Sequence, residues 1–257
     1  MKIGLIGAGQ MGSAMLRGFV NSGKITGEYL IVKTFMTPTT EKLKDELNFT
    51  LVDDYSELTK CDIVIVATGK NGVPAVLKDF SKALKKAEIP VISINYGVTI
   101  AELQDIMGEK YPLAKCVPNI PVTVNKGVLP ITYATSSKES KQLIEKTIGL
   151  LGTLIEVPER QIEIVGSVAG CSPAFVDIFI EAMADAAVIN GIKRELAYEV
   201  ISEMMVGAAA HVAETKEHPA VLKDAVCAPG GVTVKGVAEL EKCGFRNAVI
   251  SAVNATM

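Results

Sequence analysis

The sequence lacks a basic excess: 26 lysines and arginines stand against 29 acids, a formal net charge of −3. No broad positive field is available to hold a phosphate backbone, which sets nucleic acid aside as a partner. It lacks an apolar run of about 20 residues, the length that spans a bilayer, so no membrane association is expected. Mean hydropathy is nevertheless high at +0.32, which points to a large buried interface. Met1-Lys2-Ile3-Gly4-Leu5-Ile6 enters a strand pattern at once, and no signal peptide is expected. Its five cysteines (61, 116, 171, 227, 243) are odd in number and have no C-x-x-C spacing. That argues against a disulfide framework and a zinc site, so no metal is expected, and it fits a reducing cytoplasm. With 49% hydrophobic and 21% charged residues, the chain is not disordered.

What is present divides in two. Strand patterns at 2–6, 28–33, 62–67, 90–94 and 128–133 alternate with helical patterns at 11–22, 40–47, 72–86 and 137–150. This alternation predicts an α/β domain with a mostly parallel sheet covered on both faces. The later segments read as helices only, at 173–190, 194–215, 219–226, 233–242 and 246–254. The expected division is a dinucleotide-binding domain over 1–160 and an all-helical domain over 161–257. Ser172 suits an N-cap and Pro173 a first helical position. The helix expected from Pro173 is apolar around most of its circumference, which calls for burial on nearly all sides. Two copies of the tail packed together would supply it, making a homodimer, with Gly207-Ala208-Ala209-Ala210 allowing close helix approach.

Gly7-Ala8-Gly9-Gln10-Met11-Gly12 fits G-x-G-x-x-G between an apolar strand and a helix. In that setting Gly7 permits the tight turn, Gly9 lets a pyrophosphate approach the backbone, and Gly12 lets the helix sit close to the strand. The helix start supplies N–H donors to phosphate. The end of the second strand, Ile31 to Thr40, contains no acid. An acid there binds a ribose hydroxyl and repels a 2′-phosphate; Lys33 with Thr34 and further threonines suits the phosphate. The cofactor expected is NADP, with NAD as the alternative.

Together with Gly4 to Gly12, several further segments resemble one family along the whole chain. They are Asp62-Ile63-Val64-Ile65-Val66-Ala67, Gly97-Val98-Thr99-Ile100, Pro118-Asn119-Ile120-Pro121, Ser172-Pro173-Ala174-Phe175 and Phe179 to Asp185. The sharpest are His218-Pro219-Ala220-Val221-Leu222-Lys223-Asp224 and Pro229-Gly230-Gly231-Val232-Thr233. The chain is similar to the pyrroline-5-carboxylate reductases. The resemblance implies a Rossmann domain followed by a helical dimerisation domain, dimers assembled into decamers, and reduction of a cyclic imine to L-proline with NADPH or NADH. It implies cofactor contacts from residues 7–12, Lys33, Thr34, Ala67, Thr68, Asn95, Gly97 and Asn119. It implies substrate contacts from Cys171, Ser172, Gly230, Gly231, Val232 and Thr233, with Thr233 bonding the imine nitrogen. Ala228 stands where the family has serine, and Asn95-Tyr96 where it has two alanines.

Reduction of C=N needs a hydride on carbon and a proton on nitrogen, and an iminium is electrophilic enough to need no strong acid. Two histidines therefore suffice: His211 reads as a mid-helix side chain and His218 as a helix start. Thr233 also suits a helix N-cap. The loss of a serine hydroxyl at Ala228 implies ~1.5–3 kcal/mol less binding to a carboxylate. Asp177, Glu181 and Asp185 form an acidic stripe, read either as one solvated helix face or as a field favouring an iminium. Cys171 and Cys227 read as small apolar side chains. Two alternatives are a relative acting on another cyclic imino acid and a nucleotide-binding paralogue without turnover. A 3-hydroxy-acid dehydrogenase fits less well, because no lysine precedes Lys193 on the helix expected from Pro173.

Overall fold

The computed structural model describes residues 1–87, 89–134 and 137–257, which form two compact units, Met1–Gly170 and Cys171–Met257. In the first, β1 (Ile3–Ile6), α1 (Gln10–Asn21), β2 (Leu30–Lys33), α2 (Pro38–Leu47) and β3 (Thr50–Leu51) open the chain. There follow β4 (Ile63–Val66), α3 (Gly72–Ala87), β5 (Val91–Ser93), α4 (Ile100–Met107), β6 (Leu113–Cys116), β7 (Gly127–Tyr133), α5 (Lys138–Ile148) and β8 (Gly152–Glu156). One eight-stranded sheet has the order β3-β2-β1-β4-β5-β6-β7-β8, parallel except where β6 meets β7. This is the doubly wound Rossmann arrangement, with the order reversing between β1 and β4.

Side-chain alternation explains the two covered faces. Ile3 and Leu5 of β1, Leu30 and Val32 of β2, and Ile63 and Ile65 of β4 share one core with Met15, Leu16 and Phe19 of α1. Ile6, Ile31, Val64 and Val66 share the other with Val73, Leu77 and Phe80 of α3 and Leu103 and Met107 of α4. Strands buried on both faces read as unbroken apolar runs, which is why β1, β2 and β4 stand out in the sequence.

The elements absent from the sequence reading are β3, α4, β6 and β8. α4 is announced by Thr99 and Glu102, a capping box in which each side chain bonds the other's backbone N–H. β6 contains Lys115, whose charge interrupts the apolar run although the residue is only 1% exposed.

α6 corrects an expectation. It runs unbroken from Glu159 to Ile189, so Ser172 is not an N-cap and Pro173 lies inside the helix rather than at its first turn. The boundary between the units, at Gly170 and Cys171, thus falls within α6. In the second unit α6 continues to α7 (Arg194–Thr215), α8 (Pro219–Ala225), α9 (Val232–Lys242) and α10 (Phe245–Asn254). Asp185 pairs with Arg194, and the Phe179 and Phe245 rings lie 5.5 Å apart. Only Ala184, Ala197 and Ile201 form a buried cluster there. Ile178, Ile189, Val206, Val226 and Ile250 are all exposed in the single chain.

By length and composition alone α6 is long and apolar enough to cross a membrane, although charged side chains interrupt its apolar residues. Asp177, Glu181 and Asp185 lie exposed along it, side by side with Val176 and Ile178. The acidic stripe is therefore one part of a largely uncovered helix, not its only solvated face.

Candidate functional site

The turn from β1 to α1 is held by its own backbone. Gly7 has φ +97°, and its N–H donates to the Lys33 carbonyl at 2.9 Å. A Cβ on Gly12 would stand 2.1 Å from the Gly7 carbonyl oxygen, so only glycine lets α1 sit this close to the strand. A Cβ on Gly9 would meet nothing within 4 Å. Ala8 N–H donates to Thr34 Oγ1 at 3.1 Å, and Ser13 Oγ donates to the Ala8 carbonyl at 2.9 Å. Gly9 is the N-cap of α1 and offers no side-chain cap, which leaves the first N–H groups of the helix to a ligand.

Two adjoining clefts meet at this turn, beside the strand-order reversal where such sheets bind ligands. The larger encloses about 740 Å³, and Ala8, Gly9, Gln10 and Thr34 contribute to its lining. The smaller encloses about 290 Å³ and includes Gly7, Lys33, Ala67 and Thr68. Thr37 and Thr39, among the further threonines expected to suit a phosphate, also line the larger cleft, as do Arg17 and Phe35, which sequence reasoning did not single out. Phe35 is 86% exposed, and Thr37 caps α2 by accepting from Thr40 N–H. Phe35-Met36-Thr37-Pro38-Thr39-Thr40 was the available signal: a capped helix start just beyond β2. Arg17 forms a two-pronged pair with Glu46 at 2.8 Å, which raises the guanidinium pKa and lowers that of the carboxyl. Lys33 sits 5.3 Å from the Tyr55 ring centre, at the smaller cleft.

These features fit a dinucleotide. The open face at Gly9 admits phosphate. The buried Thr68 hydroxyl has no hydrogen-bond partner among the described residues, and Thr68 lines the smaller cleft.

Met11, Gly12, Asn95, Gly97 and Asn119 do not line either cleft. Asn95 is buried; its Nδ2 donates to the Thr68 carbonyl, and its Oδ1 accepts from Ser93 Oγ at 3.2 Å. Gly97, at φ +73°, donates to Glu163 Oε1 at 2.7 Å, and the same oxygen receives Lys115 Nζ at 2.8 Å. The hydrogen bond from Lys115 holds the Glu163 carboxyl below the usual range, against a smaller opposing effect of burial. Glu159 accepts from Ile100 N–H at 2.6 Å, so acids one helical turn apart tie α6 to the start of α4 and to the loop before it. Asn119 Nδ2 donates to the Ala169 carbonyl, and its Oδ1 accepts from Val128 N–H, both at 2.8 Å.

The remaining candidates lie in the second unit. Cys171 and Ser172 are half-buried on α6. Ala228-Pro229-Gly230-Gly231 forms a tight turn, with Gly231 N–H donating to the Ala228 carbonyl at 2.9 Å and Gly230 at φ +70°. Proline then a left-handed glycine is the type II sequence. Gly231 is the N-cap of α9, so Thr233 is not; it sits one position inside the helix, exposed, because the turn ends at Gly231. Val232 is exposed beside it. No hydrogen bond joins Cys171 or Ser172 to the Gly230–Thr233 segment among the described residues. His218 caps α8, its Nδ1 accepting from Ala220 N–H at 3.2 Å, whereas His211 is exposed in α7. Burial pushes the Cys61 thiol up to about 12 and the Cys116 thiol higher still, so neither is a nucleophile.

Comparison with known proteins agrees with this geometry. Residues 159–257 match the pyrroline-5-carboxylate reductase dimerisation family, and residues 2–97 match the family described as NADP oxidoreductase coenzyme F420-dependent. The chain is 37% identical to pyrroline-5-carboxylate reductase of Escherichia coli (strain K12), over 100% of this chain and 96% of the relative. It is 34% identical to that of Methanosarcina acetivorans, over 98% and 94%. The crystal structure of Plasmodium falciparum pyrroline carboxylate reductase with NADP bound superposes with a TM-score of 0.84 at 29% identity, covering 100% of this chain and 95% of that one.

Proposed function

This chain belongs to the pyrroline-5-carboxylate reductase family, and we propose that it reduces 1-pyrroline-5-carboxylate to L-proline, with NADPH preferred over NADH. The observation that carries the reading is the cleft around Gly7–Gly12, with its open Gly9 face and unpartnered Thr68 hydroxyl. When bound, the dihydronicotinamide supplies the hydride that reduces the imine carbon.

The chain's own residues bind and orient. The N–H groups at the start of α1 take the pyrophosphate, while Thr34, Thr37 and Thr39 with the start of α2 take the 2′-phosphate. Gly7, Ala8, Gln10, Ala67 and Thr68 line the crevice, Met11 and Gly12 set the first turn of α1 behind it, Lys33 adds positive charge, and Asn95 and Gly97 brace its inner end. Gly230 and Val232 present backbone N–H groups at the start of α9 to the substrate carboxylate, as a helix N-terminus favours an anion, while Gly231 closes the turn that aims them. Thr233 holds the imine nitrogen, which gains the proton. Cys171 and Ser172 complete the substrate contacts.

Residues 1–160 serve the cofactor and 161–257 serve dimerisation and substrate. The exposed apolar residues of α6, α7 and α10 are the surface that a second copy covers, with decamers as the higher assembly. We place the protein in the cytoplasm, with no nucleic acid or membrane as partner. Ala228 favours one second reading, a relative that reduces another cyclic imino acid.

The test is loss of NADPH absorbance with purified protein and DL-pyrroline-5-carboxylate, with pyrroline-2-carboxylate and NADH in parallel. Fast turnover on the first substrate is expected. Turnover on pyrroline-2-carboxylate alone would transfer the assignment to the second reading.

A further inference from the structure

α6 contains a proline fourteen positions from its start, and a helix interior is costly for proline. Pro173 has no N–H, so the carbonyl four residues earlier, that of Ala169, loses its helical donor. The structure supplies another: Asn119 Nδ2, 2.8 Å away. The carboxamide is not free to turn elsewhere, because its Oδ1 is held by Val128 N–H at 2.8 Å and the residue is 5% exposed. Its own carbonyl accepts from Val122 N–H at 3.1 Å. Asn119 thus opens the short 3-10 helix Ile120–Val124, from which Ile120 and Thr123 line the larger cofactor cleft.

We infer that Asn119 is a positioning residue and not a cofactor ligand: its carboxamide replaces the N–H that Pro173 lacks, and pins the α6 backbone at Ala169 to the wall of the cofactor cleft. The pinned carbonyl lies two residues before Cys171 and three before Ser172, the candidate substrate residues. An aliphatic side chain at 119 leaves a half-buried carbonyl without its donor and a half-buried N–H without its acceptor, and frees the cleft wall from α6. This changes geometry for catalysis while leaving every proposed phosphate contact in place. The kinetic part rests on the proposed NADPH-dependent reduction; the binding and melting parts do not.

The experiment compares the full-length wild-type chain, Asn119→Ala, Pro173→Ala and the double variant. The readouts are melting temperature, NADPH dissociation constant by fluorescence, and kcat and KM for pyrroline-5-carboxylate. Asn119→Ala is expected to lower Tm by about 3–6 °C. It is expected to lower kcat about tenfold with KM and the NADPH Kd each within about threefold of wild type. Alanine at 173 restores an N–H to the Ala169 carbonyl, so Asn119→Ala in that background costs less than half as much Tm. A tenfold rise in NADPH Kd with unchanged Tm would make Asn119 a cofactor ligand and overturn the inference; so would fully additive Tm losses. Where Pro173→Ala does not fold, Asn119→Asp decides: it keeps the acceptor for Val128 but sets an oxygen against the Ala169 carbonyl. Its Tm should fall at least as far as that of Asn119→Ala, and a wild-type Tm would overturn the inference. A wild-type chain inactive on pyrroline-5-carboxylate refutes the proposed reaction, and the Tm and Kd results still decide the role of Asn119.

Discussion

Removing Glu163 should cost far more stability than removing its partner Lys115, although each change breaks the same ion pair. The Lys115 side chain is 2% exposed and that of Glu163 is 35% exposed, with Nζ and Oε1 2.8 Å apart. At that distance the gross attraction is about 6 kcal/mol for an effective dielectric constant of about 20. Most of it offsets the desolvation of the lysine. Glu163→Ala leaves that ammonium buried without its counter-charge and leaves the Gly97 N–H without its acceptor. Breaking a fully buried pair in this way costs about 3–5 kcal/mol; with water reaching the glutamate, about 2–4 kcal/mol is expected. For a chain of this size that lowers Tm by about 5–12 °C. Lys115→Met instead removes the buried charge, fills the same channel with an apolar side chain, and leaves Glu163 with the Gly97 N–H and solvent. Its cost should stay within about 1 kcal/mol. Urea and thermal unfolding of both variants, followed by far-UV circular dichroism, give the comparison. A Lys115→Met protein destabilised as much as Glu163→Ala, or more, would refute the reasoning.

The same pair sets a pH dependence. The Glu163 carboxyl is held low in the folded chain, so its stabilisation is fully present above the ordinary glutamate value of about 4.3 and is lost as pH falls through the depressed folded value. The stability gap between wild type and Glu163→Ala should therefore be flat from about pH 8 to 5 and shrink below about pH 4, as read from urea midpoints. Gly12→Ala places a Cβ 2.1 Å from the Gly7 oxygen and should abolish NADPH binding with a loss of Tm, whereas Gly9→Ala, which meets no protein atom within 4 Å, should keep wild-type Tm and lose NADPH affinity by calorimetry. Restoring the hydroxyl with Ala228→Ser should lower KM for the imino acid by about 10-fold or more, with little change in NADPH affinity. Glu181→Gln should leave turnover unchanged from wild type between about pH 6 and 9, as for an exposed surface charge; a changed pH profile would assign it to the iminium field.

The strands at the centre of the sheet were legible because burial on both faces writes continuous apolar runs, as in Ile63-Val64-Ile65-Val66. β6 was not, because Lys115 is buried by a partner 48 positions away that no local pattern announces. The glycine turn was legible because its constraints are local: a left-handed Gly7 and a contact-limited Gly12. The start of α6 was misread for an instructive reason. Ser-Pro is a strong helix-start signal, and the donor that meets the Ala169 carbonyl comes from Asn119, 50 positions away, where no local pattern announces it. Likewise Thr233 looked like a cap, but the Pro229-Gly230 turn already ends at Gly231. Asn95 and Asn119 were expected as cofactor contacts; the structure occupies both side chains with protein partners, which spacing alone does not reveal.

The central claim is hydride delivery to the imine carbon of pyrroline-5-carboxylate. The most direct measurement is mass spectrometry of the product formed from deuterated NADPH, with the deuterium position read from fragment ions. L-Proline labelled at its δ-carbon is the predicted result. Label at the α-carbon from pyrroline-2-carboxylate with none from pyrroline-5-carboxylate, or no labelled product while NADPH still raises the melting temperature, would contradict it.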